Sequence, residues 1–299
     1  GDFDSLFARL RELGAHSVMD YLCPTCEWQI DRLNRLSMAG IKSTLAVHGG
    51  WSGGSSAIVN TLAAMRNRLQ GSVIAISGVN EPDISGDPNW IAKTRAYTSE
   101  LYMRAKADPA LRGLPVIGPS LVYRPSRTEL GDLSHVVDRG NLHPYPGGRQ
   151  PLYNIEDERQ MMSAVSGSEP LVSTEIGYHT DMSLSGPHRP ASERAIGIYT
   201  PRIALESFRS GVERTYVFQL VDLYSDAEAA QRSYPKSQNS FGLLRWNFQP
   251  KPSFIALRNL LRALDADSAP VASPGALRYS IAGAGPDDNG GRGTRDAAH

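Results

Sequence analysis

Short apolar runs alternate with longer amphipathic segments through most of this chain, and that rhythm limits its fold more than any other feature. Residues 16–20, 42–47, 73–76, 114–117, 141–145, 171–176 and 214–221 read as strands. Helices are expected over 4–13, 28–38, 56–69, 90–107, 130–137, 156–165, 191–210 and 252–264. In the first of these, Asp4 suits the N-cap, Leu6, Leu10 and Leu13 share one face, and Gly14 suits the stop. Pro252 stands where a helix tolerates proline, in its first turn. Strands that alternate with helices pair in parallel, and runs such as Val-Ile-Ala-Ile (73–76) and Tyr-Val-Phe (216–218) are apolar enough for burial on both faces.

The expected fold is α/β, a (β/α)8 TIM barrel over residues 1–265. A helix opens the series, and eight helices meet only seven strands, so the first barrel strand is expected to be missing from this chain. The alternative is a segment elsewhere that fills its place. Residues 266–299 turn to Ala, Gly, Pro, Ser and Asp and read as a short irregular tail, with one strand over 276–281 and disorder from 287. That tail is the possible start of a truncated β accessory domain.

Charge excludes several functions. Lys+Arg and Asp+Glu both number 31, so the net charge is +0, and nothing promises an electrostatic grip on nucleic acid or an anionic membrane. No apolar run approaches the ~20 residues of a membrane-spanning helix, so membrane insertion is not expected. Cys23 and Cys26, in Cys-Pro-Thr-Cys, suit a local disulfide or two free thiols. One such pair is half of a four-ligand zinc site, and a redox motif would need a helix starting at the second cysteine. Gly-Gly-Trp-Ser-Gly-Gly (49–54) lacks the Lys-Ser/Thr that completes a phosphate cradle. No dinucleotide fingerprint, nucleophile elbow or His-Glu-x-x-His is found, so no cofactor and no metal are expected.

Active groups in parallel α/β folds gather at the C-terminal ends of strands. Counting the absent strand as the first, the second ends at Asp20, the third at His48 and the fourth at Asn80-Glu81. The sixth ends at His143 and Tyr145, the seventh at Glu175, and the eighth near Gln219 and Asp222. Glu81 and Glu175 would face each other across the barrel mouth. Two facing carboxyls, one protonated and one ionised, are the equipment of glycoside hydrolysis.

Gly-Val-Asn-Glu-Pro-Asp (78–83) resembles the Asn-Glu-Pro acid/base motif of clan A glycoside hydrolases, and Val-Ser-Thr-Glu-Ile-Gly (172–177) resembles the strand-seven nucleophile motif of that clan. Asn-Leu-His-Pro-Tyr (141–145) is similar to its strand-six His-x-Tyr element, His48 to a strand-three histidine of family 5, and Phe241-Gly242-Leu243-Leu244 with Lys251-Pro252 to the clan's usual ending. The resemblance implies a retaining enzyme that cleaves β-linked oligo- or polysaccharide. Glu81 would be the acid/base and Glu175 the nucleophile. Asn80 would bond the sugar 2-hydroxyl, Tyr145 would hold Glu175, His143 would line the subsite or orient the acid, and His48 would contact sugar. Tyr178, Gln219, Trp51 and Trp246 join the sugar-binding candidates, the tryptophans as stacking platforms. The strand-two arginine of family 5 is replaced by Met19 and Asp20, and the strand-eight tryptophan by Gln219. These departures turn the resemblance towards family 39-type bacterial enzymes.

Two other functions fit the same residues. One is a non-catalytic carbohydrate-binding barrel, or an inactive fragment of a hydrolase. The other is a metal-dependent barrel enzyme using His48, His143 and Glu175, for which no tight ligand spacing exists. The partner expected is a carbohydrate substrate, the chain a monomer, and the location secreted or cell-surface, because polysaccharides do not enter cells intact.

Overall fold

A computed structural model describes residues 2–47, 54–69, 71–186 and 188–265 of the 299. His48, Trp51 and the tail 266–299 with its expected strand lie outside these residues. Residues 2–262 fall in one unit, and the described part of the second, 263–265, is the end of the last helix.

Among the described residues, seven strands alternate with helices as the sequence predicts. They are β1 (Ser17–Leu22), β2 (Lys42–Val47), β3 (Val73–Ser77), β4 (Val116–Ile117), β5 (Gly140–Leu142), β6 (Leu171–Ile176) and β7 (Val212–Val217). The helices are α1 (Phe3–Leu13), α2 (Glu27–Met38), α3 (Ser55–Arg68), α4 (Trp90–Ala107), α5 (Arg124–Leu130), α6 (Leu152–Ser166), α7 (Glu193–Arg209), α8 (Asp226–Gln231) and α9 (Pro252–Asp265).

Pairing is parallel throughout, in the orders β1-β2-β3-β4 and β5-β6-β7, with one parallel bridge between Ile117 and Arg139 joining the two sheets. The combined sheet is strongly curled. Met19, Ala75, Ile117, Val172 and Tyr216, from five different strands, meet in one interior cluster, and the Tyr216 hydroxyl lies 2.7 Å from Thr44 Oγ1 on β2. Among the described residues no ladder joins β7 to β1. That side is covered by side chains instead: Leu220, just past β7, and Val18 of β1 pack on the same group of Leu10, Leu36 and Ile41. Beyond β7 the chain pairs once more, with Leu243 and Leu244 donating backbone N–H groups to the carbonyls of Gln219 and Leu220.

Several boundaries move. Asp2, not Asp4, caps α1, accepting from the N–H groups of Asp4 and Ser5. β1 runs on past Asp20 to Leu22. The helix expected over 130–137 lies instead at Arg124–Leu130, because Pro125 starts it and Gly131, at φ 71°, stops it. α8 was not expected; Ser225 and Glu228 form a capping box that holds this single short helix together.

Candidate active site

The end of β3 is shaped by close backbone approach. Gly78 donates its N–H to the Ile117 carbonyl at 2.9 Å, and a Cβ there would meet that same oxygen at 2.9 Å. Three residues on, Glu81 has φ 45°, a left-handed conformation that non-glycine residues seldom adopt and that costs on the order of 1–3 kcal/mol. Its surroundings hold it there. Its N–H donates to Ser120 Oγ at 3.1 Å, and Ser120 in turn donates to Asn80 Oδ1 at 3.2 Å. Asp83 accepts from the N–H groups of Val122 and Tyr123, so it ties down the following loop rather than facing the site.

Glu175 stands near the end of β6, where its side chain accepts the Tyr145 phenol at 2.8 Å on Oε2. Burial, then the charge of Glu175, holds the Tyr145 phenol well above its ordinary value of 10.0, so it stays a donor. Gly177 follows at once; a Cβ there would lie 1.9 Å from the Phe218 carbonyl oxygen.

His143 lies between the two acids. Nδ1 is 2.7 Å from Glu81 Oε1 and 3.7 Å from Glu175 Oε2, and Nε2 is 2.8 Å from Thr174 Oγ1. The direction of this chain can be deduced. The Gly118 carbonyl only accepts, so Asn141 must turn Nδ2 towards it, at 3.3 Å. Asn141 Oδ1 then accepts from the Thr174 hydroxyl at 2.8 Å and the Thr174 N–H at 3.4 Å. With its proton spent on Asn141, Thr174 Oγ1 accepts from His143 Nε2–H. In the neutral imidazole Nδ1 is therefore the acceptor, which pairs with Glu81 when that carboxyl carries a proton; in the charged ring Nδ1 donates to the carboxylate instead.

One ligand atom from each of Glu81, His143 and Glu175 lies within 4.8 Å of the other two, the span of a cation site. Both His143 nitrogens are nevertheless committed, which leaves two carboxylates for any ion.

The structure thus brings Glu81, Glu175, Asn80, His143 and Tyr145 together and leaves other candidates apart. Tyr178 is buried, donates its hydroxyl to the Arg149 carbonyl at 2.7 Å and leans on Tyr199. Gln219 donates to the Gln238 carbonyl; the neighbouring Phe218 is the side chain that meets Tyr145, edge to face at 6.3 Å. Trp246 is 51% exposed on the turn between Leu244 and Pro250, bonded to none of the three central groups. Asp222 pairs with Lys251 at 2.6 Å and caps Gly242 N–H, and Trp90 packs on the core.

Besides Phe218, three residues at the site escaped the sequence. His188 tilts over Tyr145 at 5.1 Å between ring centres, and Phe241 closes the same aromatic wall at 5.8 Å from Tyr145. Burial and the neighbouring His179 hold the His188 imidazole below its ordinary value. The third, Tyr21, lies one residue beyond the expected end of its strand.

No family model matches the chain, and no curated protein sequence does. Solved structures do match it in fold. A GH2 β-galacturonidase from Eisenbergiella tayi bound to galacturonate superposes with a TM-score of 0.65 at 19% identity, covering 87% of this chain and 47% of its own. A β-D-glucuronidase from Dictyoglomus thermophilum gives 0.64 at 17%, covering 87% and 46%. A family 39 glycoside hydrolase from Bacteroides cellulosilyticus WH2 gives 0.64 at 16%, covering 88% and 61%. The chain has a glycoside hydrolase fold. It spans about half the length of the first two proteins.

Proposed function

We propose that this chain is a retaining glycosidase of clan A that cleaves β-linked oligo- or polysaccharide, with Glu81 as acid/base and Glu175 as nucleophile. The observation that carries the reading is the spacing: carboxylate oxygens of the two glutamates lie within 4.8 Å. Double displacement wants carboxyls about 5–5.5 Å apart, whereas inversion needs about 6.5–9.5 Å for an intervening water. The environments suit the division of labour. Glu81 meets His143 Nδ1, which in the neutral ring can accept the carboxyl proton, and Glu175 accepts the Tyr145 phenol.

In the first step Glu175 attacks the anomeric carbon while Glu81 gives its proton to the departing oxygen. In the second, Glu81 takes a proton from water, which attacks the same carbon and releases Glu175. Asn80, fixed by Ser120, bonds the 2-hydroxyl as positive charge builds on the ring. The Cys23–Cys26 disulfide supports a place outside the cell, where such bonds persist and polysaccharides are met.

The test is a panel of aryl β-glycosides, with β-glucuronide and β-galacturonide included because the similar structures carry those names. Proton NMR of the first product should find the β anomer, and Glu175→Ala should fold normally while losing turnover. An α first product, or an active Glu175→Ala protein, overturns the mechanism; a folded chain that binds oligosaccharide but never cleaves it leaves a carbohydrate-binding barrel.

A further inference from the structure

The Cys-Pro-Thr-Cys motif has no part in the chemistry above, yet it is tied to the mouth of the site. Cys23 and Cys26 are joined, with Cα atoms 5.3 Å apart, and α2 begins at the next residue. Gln29, only 6% exposed, spends its whole amide on the strand end before the loop. Its Oε1 accepts from Cys23 N–H at 2.7 Å, and its Nε2 donates to Asp20 Oδ2 at 3.0 Å and to the Tyr21 carbonyl at 2.7 Å. Asp20 also accepts from Tyr21 N–H at 2.8 Å. One buried side chain thus fixes Asp20, Tyr21 and Cys23 together, and the bridge fixes Cys23 to the helix that carries Gln29.

Tyr21 is what this clamp holds. Side chains alternate along a strand, so Tyr21 faces the way Met19 does, and Met19 lies in the barrel interior with Ala75, Ile117, Val172 and Tyr216. Tyr21 is one layer nearer the C-terminal mouth, and the residue is 37% exposed. After burial, the charges that most affect its phenol are those of Glu175 and then Glu81, which hold it above its ordinary value.

We infer that Tyr21 is a substrate-binding residue, its phenol hydrogen-bonding the sugar beside the two carboxylates, and that Gln29 and the Cys23–Cys26 bridge are its positioning device. This rests on the glycosidase reading for the ligand but not for the clamp. It makes substrate affinity sensitive to reduction by a dithiol, which gives two cysteine thiols and the cyclic disulfide of the reagent.

Two measurements test it. Tyr21→Phe should raise KM about tenfold, the loss of one hydrogen bond, with kcat within about threefold. Gln29→Leu, the Cys23→Ser/Cys26→Ser pair, and dithiothreitol on the wild-type protein should each raise KM similarly, and none should add to Tyr21→Phe. An unchanged KM in Tyr21→Phe, or effects that simply add, overturns the assignment. The second uses 3-fluorotyrosine in place of the 12 tyrosines, with the Tyr21 fluorine signal assigned by its loss in Tyr21→Phe. That signal should move when Glu175 becomes Gln and should shift towards the solvent-exposed position on reduction. A signal indifferent to reduction and to the cysteine pair overturns the clamp. If no glycoside is turned over, the functional reading fails and Tyr21 loses its ligand, while the fluorine signal still decides the clamp.

Discussion

Tyr145 and Glu175 share one hydrogen bond of 2.8 Å, from the phenol to Oε2, and it holds in place the carboxyl proposed as nucleophile. Hydrogen bonds to charged groups contribute about 1.5–3 kcal/mol, so Tyr145→Phe should lower kcat roughly 10- to 150-fold with little change in KM. The pH dependence follows by sign. The folded-state phenol is raised above 10.0, so it keeps its proton through neutral and moderately alkaline pH. Tyr145 therefore adds no alkaline limb to the kcat profile below about pH 10. A limb in the wild-type protein that vanishes in Tyr145→Phe would contradict this.

The chain Asn141–Thr174–His143–Glu81 fixes the imidazole tautomer from two backbone groups, the Gly118 carbonyl and the Thr174 N–H. Thr174→Val keeps the shape and removes the acceptor for His143 Nε2. The ring then loses the contact that holds Nδ1 towards Glu81. Turnover should fall about tenfold or more, most for substrates with poor leaving groups, where acid assistance matters most. Rates compared across aryl glycosides of different leaving-group acidity decide it: an equal loss for all of them removes His143 from the positioning of the acid.

The two glutamates were legible because each sits in a short motif at a strand end, and strand ends are where this fold collects chemistry. Tyr21 was not, because Asp20 reads as a polar terminus, although Gln29 hydrogen-bonds it and the strand runs on to Leu22. Phe218 was overlooked for Gln219, since one residue of register decides which side chain faces inward. The Arg124–Leu130 helix was missed because its charged residues gave no apolar rhythm; Arg127 is buried there on an ion pair that only the tertiary structure supplies. His188 and Phe241 reach Tyr145 from loops distant in sequence, and no local pattern marks such a contact.

Gly177 gives a stability prediction that a strand propensity would not. A methyl group at this position would stand 1.9 Å from the Phe218 carbonyl oxygen, which is backbone and cannot swing aside. Gly177→Ala should destabilise by about 1–3 kcal/mol through overpacking, and it should spoil Glu175 as well, two residues away. Thermal unfolding together with residual activity checks this; a protein of unchanged melting temperature would mean that β6 and β7 separate more easily than their packing implies.

Arg127 and Glu158 form a fully buried ion pair between α5 and α6, with Arg127 also donating to the Tyr123 and Leu121 carbonyls. Burial raises the Glu158 carboxyl, and Arg127 opposes that rise. Removing one partner leaves the other charge without compensation, so Arg127→Met should cost about 3–5 kcal/mol, measured by denaturant unfolding. Replacing both, as Arg127→Met with Glu158→Leu, removes the stranded charge and should recover most of that loss. The sign with pH also differs. A stranded Glu158 in Arg127→Met would fold with its pKa raised further, so this variant should regain stability as pH falls and the carboxyl takes a proton, whereas the double variant should not. Equal pH dependence in the two variants would mean that Glu158 finds water or another cation once Arg127 is gone.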